Sequence, residues 1–310
     1  MNTAYITHPV CEQHEMGHFH PESPHRLEAI QNRLMASPLW QLLTHFEAPS
    51  VTREQLERVH EPGYLNQLDS LSPSEGMVSL DPDTFMNTHS LEAARRAAGA
   101  AVLATDLVMQ GQAGNAFCAV RPPGHHAERN AAMGFCFYNN VACAVAHALA
   151  VHGLERVAIA DFDVHHGNGT EHIFAHDERV LLCSSFQHPF YPFTPIDQDI
   201  ANIVHTPLSA GAGGTEFRRS VKARWLPAME AFKPQMLFVS AGFDAHTADP
   251  MAQLNFEESD YVWVTETLMD IAQRHAAGRI VSVLEGGYNL LALARCTEVH
   301  LRTLAHVHSG

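Results

Sequence analysis

Arg156-Val157-Ala158-Ile159-Ala160-Asp161-Phe162-Asp163-Val164-His165-His166-Gly167-Asn168-Gly169 is the stretch that decides how this chain folds. Residues 156–160 form the short apolar run expected of a strand buried on both faces. Two glycines and an asparagine then break the pattern, so the strand ends in a turn. That turn carries two carboxylates and two imidazoles. Along extended chain, alternate side chains share a face, which sets Asp161, Asp163 and His165 one way and Phe162 and Val164 the other. One such group reads as a plain polar turn. Four within six residues behind an apolar strand are costly to bury unless paired or metal-bound. Carboxylate oxygen and imidazole nitrogen at this spacing suit a divalent metal, zinc first.

Outward from this stretch the same alternation repeats. Strands are expected at residues 4–7, 115–120, 180–184, 236–240 and 280–284, separated by helical segments. Ser23 and Pro24 start a helix whose apolar face is Leu27, Ile30 and Leu34. Ser90 starts an alanine-rich helix to about residue 110, and residues 140–152 are apolar at helical spacing. A further helix runs to Phe232, Asn255 with Glu258 opens one to about His275, and a last helix closes the chain. Residues 8–23, 71–89 and 186–214 read as long loops, and loops of that length inside a compact domain carry function. The alternation predicts one α/β domain over residues 1–310, a mostly parallel sheet with helices on both faces. In such sheets ligands sit beyond the carboxyl ends of the strands. His125/His126, Asp161 to His165, Asp249 and Tyr288 each follow a strand, which predicts one shared site.

Composition sets bounds. At 46% hydrophobic over 310 residues the chain can bury a large core. Lys+Arg of 19 against Asp+Glu of 34 gives a formal charge of -15, which argues against direct nucleic-acid binding. The same charge favours cationic ligands through the summed field, or is simply a solvated acidic surface. The six cysteines form no C-x-x-C pair and several lie in apolar runs, so they read as reduced, structural thiols of a cytoplasmic protein. The first eight residues lack a signal-peptide pattern, and no apolar run approaches the ~20 residues of a membrane span.

Asp163 and His165 supply two metal ligands, and Asp249 or Asp244 supplies a third. Three protein ligands leave zinc an open position for water, the arrangement of a catalytic site. Amide or ester hydrolysis is the matching chemistry. Adjacent histidines add a general base and an electrostatic partner, and a tyrosine on a Gly-Gly turn can donate to a developing oxyanion.

Arg121-Pro122-Pro123-Gly124-His125-His126, residues 161–169, Ser240-Ala241-Gly242-Phe243-Asp244 through Asp249-Pro250, and Glu285-Gly286-Gly287-Tyr288-Asn289 resemble the motifs of the zinc-dependent histone deacetylase superfamily. The resemblance runs in order over nearly the whole chain and includes His20-Pro21-Glu22. It implies the arginase-like α/β fold with an eight-stranded parallel sheet, and deacylation of acetylated lysine or acetylated amines. By resemblance Asp163, His165 and Asp249 hold zinc, His126 is the general base, His125 is oriented beside it by Asp161, and Tyr288 polarises the scissile carbonyl. Gly134 and Phe135 match the start of the acyl-lysine tunnel, Tyr191 its second aromatic wall, and Asp83 a rim residue. Each has an ordinary rival, a core aromatic or a turn residue. Main-chain oxygens around Asp161, Asp163, His165 and Ser185, with the side chains of Asp161 and Ser184, match a structural potassium site.

His126 is partnered by Asn168, where the best-known nuclear members carry Asp; Asn matches the class II and bacterial branches. A neutral partner makes His126 a weaker base. Expected substrates are an acetylated lysine peptide or, as the alternative, an acetylated polyamine. Rival classes are a binuclear manganese ureohydrolase on the same fold and a non-catalytic acyl-lysine binding protein.

Overall fold

The computed structural model describes residues 2–197 and 200–307. In chain order it runs β1 (Thr3–Thr7), α1 (His25–Met35), β2 (Leu43–Glu47), α2 (Arg53–Glu57), α3 (Pro62–Leu71), β3 (Met77–Ser79), β4 (Phe85–Asn87) and α4 (Ser90–Met109). Then come β5 (Asn115–Cys118), α5 (Asn140–Val151), β6 (Val157–Asp161), α6 (Asn168–Phe174), β7 (Val180–Gln187) and β8 (Ile203–Leu208). The chain ends with α7 (Gly214–Phe232), β9 (Met236–Ala241), α8 (Glu258–His275), β10 (Ile280–Leu284) and α9 (Leu290–Leu304).

Eight strands form one sheet in the order β2-β1-β5-β10-β9-β6-β7-β8. Every pairing in it is parallel. The four central strands, β5, β10, β9 and β6, are wholly buried, as their unbroken apolar runs require. α4 packs on α5 and on β1, β5 and β10; α9 packs on α1 and α8, and α8 on α7, so helices cover the sheet in two layers. All six cysteines are free and buried. Among the described residues no helix is long and apolar enough to cross a membrane.

Several expected boundaries move. The loops expected at 71–89 and 186–214 each hold strands: a β3–β4 hairpin in the first and β8 in the second. β2 and the short helices α2 and α3 lie between α1 and the loop expected at 71–89, where no element was expected. Pro24, not Ser23, stands at the N-cap of α1, and its first turn has no side-chain cap. Ser90 lies within α4, its hydroxyl accepting from Asn87 N–H at 2.8 Å. The capping box of α8 is Glu257 with Asp260, two residues beyond the expected Asn255–Glu258 pair.

Candidate active site

The four polar clusters follow four strands that are neighbours in the sheet. β5 leads to His125 and His126, β10 to Tyr288, β9 to Asp244 and Asp249, and β6 to Asp163 and His165. Strand β6 stops at Asp161, and the backbone then turns so that each carboxylate catches an amide behind it. Asp163 N–H donates to Asp161 Oδ1 at 3.1 Å, and His165 N–H donates to Asp163 Oδ1 at 2.9 Å.

Asp163, His165 and Asp244 each present a donor atom, and these lie within 4.8 Å of one another. His165 Nδ1 is 3.1 Å from Asp163 Oδ1 and 3.3 Å from Asp244 Oδ2. Asp163 Oδ2 accepts from Gly286 N–H at 2.8 Å and Asp244 Oδ1 from Val164 N–H at 2.9 Å. Asp244 Oδ2 is buried with no hydrogen-bond partner. Burial first, then the Asp163 charge, pushes the Asp244 carboxyl up to about 7. An orphaned carboxylate oxygen beside a second carboxylate and an imidazole is a donor set with surplus negative charge, and it fits a divalent cation. Gly286 is required by this crowding, since a Cβ there would fall 2.1 Å from Asp244 Oδ2. The expected third ligand, Asp249, is also at the site but differently engaged. Its Oδ2 accepts from Tyr288 N–H at 2.7 Å and Asn289 N–H at 3.0 Å, and its Oδ1 from Met251 N–H at 3.0 Å.

The two histidines have different partners. His125 Nδ1 lies 2.9 Å from Asp161 Oδ2 and Nε2 3.8 Å from Asp163 Oδ1. Burial opposes its charge, but Asp161 and Asp163 outweigh that and raise it to about 10. His126 Nδ1 lies 2.7 Å from Asn168 Oδ1. Burial, then the neighbouring His125 and His165, hold it well below the usual imidazole range. The surroundings push the two adjacent rings in opposite directions, His125 up and His126 down.

Tyr288 stands on a turn clamped from behind. Arg26 Nε donates to Gly287 O at 2.7 Å and Arg26 Nη2 to Glu285 O at 2.5 Å. Glu22, fully buried, pairs with Arg26 at 2.9 Å and with Arg121 at 2.5 Å. The Arg26 guanidinium lies 5.0 Å from the Tyr288 ring centroid. Burial raises the Tyr288 hydroxyl well above its usual range against the lowering by Arg26, so it stays a donor. Glu285 Oε2 accepts from the Gly124 and His125 amides at 2.7 and 3.1 Å, which ties the end of β10 to the histidine turn.

A cavity of about 230 Å³ opens onto this centre. His126, His165 and Tyr288 reach it, and all four expected substrate contacts line it: Asp83, Gly134, Phe135 and Tyr191. Tyr191 meets His126 and His165 edge-on, at 5.3 and 5.9 Å between centroids. Phe190, stacked on His165 at 5.5 Å, and Met251 complete the wall; both escaped the sequence reading.

A histone deacetylase domain model matches residues 20–304. The chain belongs to the histone deacetylase family. It is 38% identical to the histone deacetylase-like amidohydrolase of Pseudomonas aeruginosa over 94% of this chain and 78% of that one. It is 36% identical to the mouse polyamine deacetylase HDAC10, over 91% of this chain and 44% of that longer protein. The crystal structure of the HDA15 HD domain superposes with a TM-score of 0.93 at 32% identity, covering 100% of this chain and 90% of that one. The expected family and its eight-stranded parallel sheet are both observed, and membership makes the chain a deacetylase-type hydrolase.

In this histone deacetylase-family chain the residues of the expected potassium site are buried, with Asp161 and Ser184 side by side in the β6–β7 register and Ser185 next along. Ser184 Oγ is 2.9 Å from His166 Nδ1. Among the described residues, three further clusters of imidazole, carboxylate or thiol side chains lie outside the cavity, one of them His246, Glu258 and Cys296; in the other two a carboxylate is shared by two imidazoles. Glu171 Oε2 is bonded by His166 and His205 at 2.7 and 2.6 Å, and Asp106 Oδ1 by His147 and His152 at 2.8 and 2.7 Å. These are hydrogen-bond lengths, so each carboxylate is already satisfied.

Proposed function

We propose that the chain is a zinc-dependent amidohydrolase that removes acetyl, or another acyl group, from lysine side chains of proteins or peptides. The observation that carries this reading is the single cavity in which His126, His165 and Tyr288 meet behind the aromatic wall of Phe135 and Tyr191. Asp163, His165 and Asp249 would hold the zinc, with Asp244 beside them as a further donor. Zinc, when bound, polarises the acyl carbonyl and brings the pKa of water to about 7. His126 Nε2 takes a proton from the attacking water as its oxygen bonds to the acyl carbon. The same nitrogen returns that proton to the amine as the C–N bond breaks, leaving acetate and free amine. Tyr288 donates its hydroxyl hydrogen to the acyl oxygen. His125, oriented by Asp161, adds positive charge. Asp83 at the rim accepts from the substrate backbone. A potassium ion held at Asp161, Ser184 and Ser185 would stiffen the turn from below. Residues 1–310 act as one catalytic unit, and six buried free thiols suit a reducing, cytoplasmic setting.

The second reading is an acetylpolyamine deacetylase, favoured by the formal charge of -15 and by the likeness to a polyamine deacetylase. Acetate release by the zinc-loaded protein, with an acetyl-lysine peptide and acetylated spermidine side by side, separates the two. Turnover of the peptide is expected, falling about 10²–10³-fold in Tyr288→Phe and about 10²–10⁴-fold in His126→Ala. Preference for the small amine moves the assignment to polyamines, and no acetate from either sinks the acetyl-hydrolase reading.

A further inference from the structure

The imidazole of His126 is held by an amide rather than a carboxylate, and an amide can be set either way round. Asn168 Oδ1 faces His126 Nδ1 at 2.7 Å. The other end of the same group, Nδ2, donates to Glu128 Oε1 at 2.9 Å and to Met133 Sδ at 3.2 Å. If the amide were reversed, Oδ1 would face the Glu128 carboxylate with no hydrogen between the oxygens. Glu128 thereby excludes that orientation. In the orientation that remains, Oδ1 can only accept, so His126 Nδ1 carries the hydrogen and Nε2 keeps its lone pair.

Glu128 is itself held in place. Its N–H donates to Ala131 O at 2.9 Å, and its carbonyl accepts from His60 Nδ1 at 2.8 Å. His172 Nδ1 stands 3.3 Å from the second carboxylate oxygen. Helix α6, which begins at Asn168, lies directly on the backbone after His126: a Cβ at Gly169 would fall 2.3 Å from Ala127 O. Amide, carboxylate and imidazole are thus fixed on one rigid frame.

We propose that Glu128 is a positioning residue for the reaction: it sets the amide of Asn168 and, through it, the His126 tautomer whose Nε2 can take a proton. The inference rests on the reading of His126 as the base of a deacetylase. Glu128→Ala is expected to lower kcat about 10–100-fold with KM nearly unchanged. Glu128→Gln, whose amide can accept from Asn168 or donate to it, no longer excludes the reversed setting, so its kcat is expected between those of the parent and Glu128→Ala. Asn168→Asp alone sets two carboxylates against each other and is slow; the double variant Asn168→Asp/Glu128→Gln, whose Gln can donate, is expected to be faster than Asn168→Asp. Nitrogen-15 spectra of the His126 ring, assigned by comparison with His126→Ala, give a readout that needs no turnover. Protonated Nδ1 is expected in the parent, with a shift toward protonated Nε2 in Glu128→Ala and a smaller one in Glu128→Gln. An unchanged kcat or an unchanged tautomer in Glu128→Ala overturns the proposal, as does a rate for Asn168→Asp that ignores residue 128. Should Glu128→Ala fail to fold, Glu128→Gln and the Asn168→Asp pair decide. A parent protein that releases no acetate defeats the deacetylase reading instead, and the ring tautomer still decides this one.

Discussion

Asp244 and Asp249 both follow strand β9, and they bear respectively on the imidazole of His165 and on the turn that carries Tyr288. Asp244-Ala245-His246-Thr247-Ala248-Asp249 offers two carboxylates, and the resemblance selects the second. In the fold Asp244 Oδ2 is the orphaned oxygen 3.3 Å from His165 Nδ1, while Asp249 braces the Tyr288 amide. Both therefore bear on the candidate metal site, one through an oxygen without a hydrogen-bond partner and one through its hold on the turn. Asp244→Asn and Asp249→Asn are each expected to weaken zinc retention about 10-fold or more, measured as metal per chain after dialysis against a graded chelator. Full zinc retention in Asp244→Asn would return that residue to a structural role. His125, His126, Asp163, His165 and Tyr288 were legible because each lies just past a recognisable strand. Glu22 and Arg26 were not assigned roles. Their meaning depends on a contact between α1 and the turn after β10, some 260 residues away along the chain, and no local pattern encodes that.

At the level of elements, the strands of the main sheet found by reading were its six inner ones, and the two of that sheet missed, β2 and β8, are its edges; the β3–β4 hairpin outside it was missed as well. The reason is burial. Inner strands are covered on both faces and write themselves as continuous apolar runs. β2 and β8 alternate buried with open positions and carry His45, Glu47 and His205, so they look like loop. The α1–Glu285 turn connection makes a prediction at this scale. Glu22 is the shared carboxylate of two fully buried guanidiniums, and its loss leaves both uncompensated. Glu22→Gln is expected to cost about 3–5 kcal/mol, seen in urea denaturation, and to lower kcat because Arg26 no longer steadies the turn bearing Tyr288. A stability within 1 kcal/mol of the parent protein would show that the arginines find other partners.

The molecule as a whole carries buried histidines whose charged form burial disfavours, and each is a source of acid sensitivity. His60 donates through Nδ1 to Glu128 O and accepts at Nε2 from Asn139 N–H, so a second ring hydrogen would confront an amide hydrogen. His300 is placed alike: Thr265 gives its hydroxyl hydrogen to Tyr261 O and so accepts from His300 Nδ1, which leaves Nε2 to accept from Ser282. Burial lowers His60 to about 4 and His300 to about 3. Below pH 6.5 the unfolded chain binds protons at these two residues that the folded one refuses, so the stability they contribute falls as pH drops from about 6.5 toward these values. The expected result is a melting temperature that declines steadily below pH 6, with His300→Gln flattening the lower part of that decline. A flat profile down to pH 4 would contradict it.

The sheet order has a further consequence, for the order in which the chain is made. β10 is the last strand to be synthesised, yet it lies between β5 and β9 at the centre of the sheet. Until it arrives, β5 has no neighbour on one side and the two halves of the sheet are not joined. Asp163 and His165 leave the ribosome more than a hundred residues before the Gly286 amide that Asp163 needs and the tyrosine that faces them. A growing chain therefore has the Asp163–His165 turn before the rest of the candidate site. The last strand closes the sheet and brings the Glu285–Tyr288 turn to the candidate site in one event.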